Sequence, residues 1–379
     1  MYRMDDAFDL IEQAAQQGGA QSALDVLVTI SKKDKNYALL FEARLMQARD
    51  KIGLPLVFNG SLDDLPQCER LPYEEAMKAA ARETGGLYLA DGDILRAWPY
   101  FRAIGDSAPV SEAIEKIDSH DQLDGIIELA FGQGVNPRKG FELLLKHHGI
   151  CRAITFFQQY PDPKSRDQCA LLLLRSLHSE LVENLKRTIL QNEGHEPGGN
   201  NVSELIHGRD WLFGDLDYYV DTAHLTAIIP LALDFTDPEA IQLTIELCDY
   251  GAHLSPKFHY HSDPPFENFY CDHSIYLQAL VGCDTDGAVA HFRNKVDASN
   301  ATTPGTGPAQ VLVLLLTRLK RYQDALRVSL EHLSDQSPNE LGCPTIPQLC
   351  QLAGDYDSLR QVARRCGDIL NFTAATIGK

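Results

Sequence analysis

The sequence predicts an all-α protein, an α-α superhelix of stacked helical hairpins, and three observations lead there. Apolar residues recur at i, i+3, i+4 and i+7 through nearly the whole chain, as in Phe8, Ile11, Ala14 and Ala15, or in Phe141, Leu144 and Leu145 with His148 on the same stripe. Sustained period-two alternation bounded by Asn-Gly or Asp-Gly is missing, and the one extended-looking run, Leu54 to Phe58, stands alone before Asn59-Gly60. The breaks between helical segments are short and carry the chemistry of helix ends.

In chain order, Gly18-Gly19 and Gly92-Asp93 stand between helix-period segments, where glycine takes the positive φ that ends a helix. Asn136-Pro137 supplies an N-cap with proline at the first helical position, and Thr236-Asp-Pro-Glu239 has the form of a capping box. Gly354-Asp355 repeats the glycine turn near the end of the chain. Three regions follow. Residues 1–118 are helical hairpins. Residues 119–300 hold longer helices and two irregular loops, Gly194 to Asn201 and Ser255 to Cys271. Residues 301–379 return to hairpins after the Thr302-Thr-Pro-Gly-Thr-Gly-Pro308 stretch. A hairpin with one buried stripe hides it by stacking on its neighbours, so one continuous superhelix is expected.

Within Ala81 to Pro109, the residues Gly85, Tyr88, Ala97, Phe101 and Pro109 stand at the relative spacing of a tetratricopeptide repeat, with Gly92-Asp93 at the inter-helix turn. This unit resembles that family, although Ala81 stands where the pattern prefers Trp and Ile104 where it prefers Ala. Gly85 and Ala97 would leave room where the two helices cross, and Tyr88 and Phe101 would fill the space around the crossing. Echoes occur at Arg318 to Leu333 and Leu349 to Ala363. The resemblance implies a TPR-like α-solenoid architecture and transfers no activity.

Composition narrows the partners. With 34 Lys+Arg against 53 Asp+Glu, the formal charge is −19, which repels phosphate backbones and anionic lipid, so neither nucleic acid nor a membrane is expected as a partner. The N-terminus turns acidic at once and has no apolar core of a signal peptide, and the longest apolar runs fall far short of the roughly 20 residues that span a bilayer. A cytoplasmic protein is expected. The nine cysteines are odd in number, without a C-x-x-C pair, and Cys343 and Cys350 have no recognised metal spacing; reduced, mostly buried thiols are expected.

The chemistry-bearing residues concentrate in the middle of the chain. Of 13 histidines, seven lie between His195 and His273, about a fifth of the chain. Asp217, Asp221 and His224, spaced by four and three, would share one helix face and provide carboxylate and imidazole ligands for a divalent metal such as Zn. The other reading makes Asp221 or Thr222 a helix cap and His224 a packed side chain. His259-Tyr-His261 forms an i, i+2 pair if the backbone is extended, with Asp272 and His273 as further ligands, while Tyr260, Phe266 and their aromatic neighbours would fold the loop over a groove. His207, Arg209, Asp210, Trp211, Tyr218 and Tyr219 crowd into thirteen residues of the kind that form binding surfaces; equally, Trp211 and Phe213 could be buried with Arg209 paired to Asp210 or Asp215. Lys146-His147-His148 suits a helix C-terminus.

No phosphate-binding loop, dinucleotide fingerprint or nucleophile elbow is present, and no local signature points to a Cys/His nucleophile. Two functions follow as expectations. The first is a helical-repeat binding protein taking a peptide, protein or small molecule in a concave groove whose mouth the loops at 207–224 and 255–273 shape. The second is a metal-dependent enzyme, such as a hydrolase, drawing on Asp217, Asp221, His224, His259, His261, Asp272 and His273. Exposed end hairpins would also allow a second copy to stack.

Overall fold

The computed structural model describes residues 4–57, 65–119, 121–159, 165–199, 201–302 and 305–378. The described residues form α-helices with short 3-10 and π turns, and no strand occurs among them. Leu54, Pro55, Leu56 and Val57 are non-helical; Phe58 and the Asn59-Gly60 turn lie outside the described residues, as do Asn200 of the first predicted loop and Thr303-Pro304 of the stretch Thr302 to Pro308.

The chain divides into two compact units, Met1–Gly149 and Ile150–Lys379. The boundary expected near 118 falls inside the first unit and that near 301 inside the second. The first unit runs through α1 (Met4–Lys33), α2 (Tyr37–Lys51), α3 (Gln67–Ala90), α4 (Ile94–Ala103), α5 (Ala108–Glu115), α6 (Leu123–Ile127) and the first part of α7 (Pro137–Gln159). α1 through α5 pack each on the next. Gly19 (φ 71°) interrupts α1, as the Gly18-Gly19 pair predicts. Asn136 accepts from the Lys139 N–H at 3.2 Å ahead of Pro137, the predicted cap.

The second unit holds residues 150–159 of α7, then α8 (Arg166–Glu193), α9 (Val202–Ile206), α10 (Thr222–Ile228), α11 (Pro238–His253), α12 (Phe269–Leu280), α13 (Thr285–Thr302), α14 (Gly307–Arg318), α15 (Tyr322–His332), α16 (Ile346–Ala353), α17 (Tyr356–Cys366) and α18 (Ile369–Ile377). α8 buries Cys169, Leu173, Leu177, Leu181, Leu185 and Ile189, a stripe at four-residue spacing, against which α9, α10 and α11 pack. Each such Leu or Ile contributes about 1.5–3 kcal/mol on leaving water. From α11 to α18 each helix packs on the next. The capping box predicted over Thr236-Asp-Pro-Glu239 is replaced by a cap one residue later: Asp237 accepts from the Glu239 N–H at 3.1 Å, with Pro238 at the first helical position.

One turn joins several of these pairs. A residue at positive φ follows the first helix, and the next residue donates its N–H to the carbonyl five positions back, which is the Schellman closure. Where the next helix starts at once, it occurs at five places, Lys35-Asn36, Gly92-Asp93, Lys320-Arg321, Gly354-Asp355 and Gly367-Asp368, with N···O distances of 2.8 to 2.9 Å. In four of the five, the side chain of the second residue also caps the following helix: Asn36 accepts from Leu39 N, Asp93 from Arg96 N, Asp355 from Ser358 N and Asp368 from Asn371 N. Two residues thus end one helix and start the next.

Candidate functional site

The crossing of α3 and α4 has the geometry that its residues predict. A Cβ at Gly85 would stand 2.6 Å from the Phe101 ring, so the missing side chain lets the ring lie on the α3 backbone. Ala97 is fully buried and Phe101 nearly so. On the α2 side, Tyr88 stacks on Tyr100 with centroids 5.9 Å apart, Tyr100 meets Phe41 edge-on at 5.2 Å, and Tyr37 meets Tyr88 at 5.0 Å. This aromatic row borders a groove of about 570 Å³, with Phe41, Met77, Pro99, Tyr100, Ala103 and Ile104 in its apolar wall. Glu42, Glu74 and Lys78 also line it. All its lining residues belong to the first unit, and the loops at 207–224 and 255–273 are not among them.

The predicted cluster in the second unit separates into local partnerships. The helix expected to carry Asp217, Asp221 and His224 on one face begins only at Thr222. Asp221 is its N-cap, accepting from Ala223 N at 2.8 Å, and Asp217 accepts from Gly214 N at 3.2 Å in the irregular chain before it. The capping alternative is the observed one. His224 is buried, and its Nε2 lies 2.9 Å from Cys151 Sγ.

His259 has extended backbone (φ −74°, ψ 129°); its half-buried ring meets Tyr270 at 6.0 Å, while His261 is exposed. Asp272, only 1% exposed, accepts from His291 Nε2, Lys295 Nζ and the Asn268 N–H, each at 2.8 Å. His273 stacks on Phe266 with centroids 4.1 Å apart, and its Nδ1 lies 2.7 Å from the Phe269 carbonyl oxygen. Among the described residues, no three His, Cys, Asp or Glu side chains gather as a metal ion requires.

The stretch at 207–219 is held to the scaffold at two points. Arg209 donates to Glu193 through Nε at 2.7 Å and Nη2 at 3.2 Å, and to the Leu205 carbonyl at 2.9 Å. Its partner is therefore Glu193, not Asp210 or Asp215, and these hydrogen bonds hold the Glu193 carboxyl below the usual carboxylate range. Tyr219 donates its hydroxyl to Leu212 O at 3.0 Å and its N–H to the Tyr250 hydroxyl at 2.7 Å. His207, Asp210, Trp211 and Tyr218 are exposed, Tyr218 against Phe258 at 5.4 Å, and exposed Tyr260 packs edge-on to Phe269. Trp211 is thus a surface residue; the buried apolar side chain of this turn is Leu212.

His147 and His148, in the first unit, bond to the Asp118 carbonyl and the Asp124 carboxylate at 3.1 and 2.8 Å. Sequence reasoning missed two arrangements: the groove beside the α3–α4 pair, whose wall comes from three helices, and the Cys151–His224 contact between residues 73 positions apart. No protein-family model, curated protein or solved structure matches this chain.

Proposed function

We propose that the chain is a TPR-like helical-repeat binding protein that takes up a short peptide segment of a partner protein in the groove of its first unit. The observation that carries this reading is the apolar, aromatic-bordered groove beside the Ala81–Pro109 unit. Its wall of Phe41, Met77, Tyr100 and Ile104 suits one or two apolar anchors, and Met adapts its shape to the group it meets. Glu42 and Glu74 in the lining, on a chain of net charge −19, favour basic residues beside those anchors and steer them inward at low salt. The recurrence of the two-residue hairpin turn supports the repeat architecture.

Selection of random displayed peptides on the full chain tests the proposal. The enriched sequences should pair an apolar anchor with lysine or arginine, and their affinity should fall as salt rises. Ala103 is an exposed residue of the groove wall, so Ala103→Trp fills the groove without disturbing the core. It should weaken the selected peptides at least about tenfold, or 1.4 kcal/mol. Peptides that bind this variant as well as they bind the wild type would show that the groove is not where they bind.

A further inference from the structure

The second unit opens with a thiol set against an imidazole. α7 is interrupted at Gly149 (φ 79°, ψ 171°), so residues 150–159 form a fresh helical segment with Cys151 in its first turn. A helix N-terminus carries partial positive charge, which stabilises an anion placed there. The Cys151 side chain is exposed, and its sulfur lies 2.9 Å from Nε2 of His224. His224 itself is only 9% exposed and sits in α10 between the Asp221 cap and buried Leu225 and Ile228. Its Nδ1 is buried with no hydrogen-bond partner among the described residues.

The other eight cysteines lack this combination. Cys169, Cys248, Cys343 and Cys350 are buried, and burial pushes the Cys343 and Cys350 thiols up to about 11. Cys68, Cys271, Cys283 and Cys366 are exposed, but none is hydrogen-bonded to a histidine among the described residues. Among the described residues, only Cys151 joins exposure to an imidazole nitrogen at contact distance, the arrangement in which a base can take a thiol proton.

We infer that Cys151 and His224 form a nucleophilic pair that accepts a conjugated carbonyl compound as a covalent modification. In that addition the thiol proton passes to Nε2 of His224 and the sulfur lone pair forms an S–C bond at the β-carbon. The C=C π pair moves to the α-carbon, which takes the proton back from His224. One base and one thiol complete the step, with no leaving group, oxidant or second cysteine.

The test is timed labelling of the full chain with N-ethylmaleimide, itself a conjugated carbonyl compound, at substoichiometric reagent and pH 6.5, with each cysteine followed by peptide mapping. Cys151 should react at least tenfold faster than Cys68, Cys271, Cys283 and Cys366, and His224→Gln should bring it down to their rate. A wild-type ratio near one overturns the proposal without any variant. A fast Cys151 in folded His224→Gln overturns the part assigned to the imidazole. If the variant unfolds, Cys169 and Cys248 become labelled, and the wild-type ratio alone then decides.

Discussion

His273 shows how one side chain couples this fold to pH. It is 2% exposed, stacked on Phe266 and bonded to the Phe269 carbonyl, and burial pulls its imidazole down to about 4 even though that bond and nearby Asp272 act the other way. The unfolded chain takes up this proton near 6.5. Between the two values the unfolded state binds more protons, so the contribution is complete above pH 6.5 and is lost as pH falls toward 4. From pH 7 to pH 5 the loss is about 2 kcal/mol. Denaturant unfolding of wild type and His273→Gln at both pH values checks this: the variant should lose less stability on acidification, and equal losses would contradict the assignment. Asp272 beside it belongs to the same structural group, because its carboxylate is occupied by His291, Lys295 and the Asn268 N–H. Both residues suit a metal site by type; here hydrogen bonds and ion pairs hold Asp272, and stacking and the Phe269 carbonyl hold His273.

At the scale of elements, adjacent glycines in α3 make opposite predictions. Gly85 lies against the Phe101 ring, where a Cβ would come within 2.6 Å, while Gly86 has nothing within 4 Å of its Cβ position. Gly86→Ala should stabilise the chain by about 0.5–1 kcal/mol through helix propensity. Gly85→Ala gains the same propensity but drives a methyl group into the ring, and should destabilise by about 1–3 kcal/mol. Thermal melts of the two variants give the signs directly; if both are stabilising, the close crossing of α3 and α4 is wrong. The recurring turns show how unevenly such elements are written. Gly92-Asp93 and Gly354-Asp355 are legible because glycine marks the positive φ, whereas Lys35 and Lys320 occupy the same conformation without that mark.

Across the whole molecule, each compact unit holds one of the two tryptophans, Trp98 in the first and Trp211 in the second. Trp98 donates to Gln133 at 2.8 Å, and Trp211 is 44% exposed. Trp211→Phe therefore leaves a fluorescent reporter in the first unit and Trp98→Phe one in the second. Each unit has its own buried core, so the two reporters should give denaturation curves with different midpoints. Superimposable curves from both variants would mean that the chain unfolds as a single cooperative body. No described helix is long and apolar enough to cross a membrane.

The sequence by itself determined the helical class, the α3–α4 pair and several helix ends. These rest on interactions within about five residues: the 3.6-residue period, caps such as Asn136, and glycines at positive φ. Tertiary structure decided which chemistry-bearing residues meet. Asp217, Asp221 and His224 suit one helix face only if a helix covers them all, and packing begins α10 at Thr222 instead. Arg209 has acidic residues beside it in the chain but finds Glu193, and His224 finds Cys151, 73 positions away. Local periodicity sets which face of a helix is buried. What that face meets depends on how distant segments pack, and neither spacing nor composition records it.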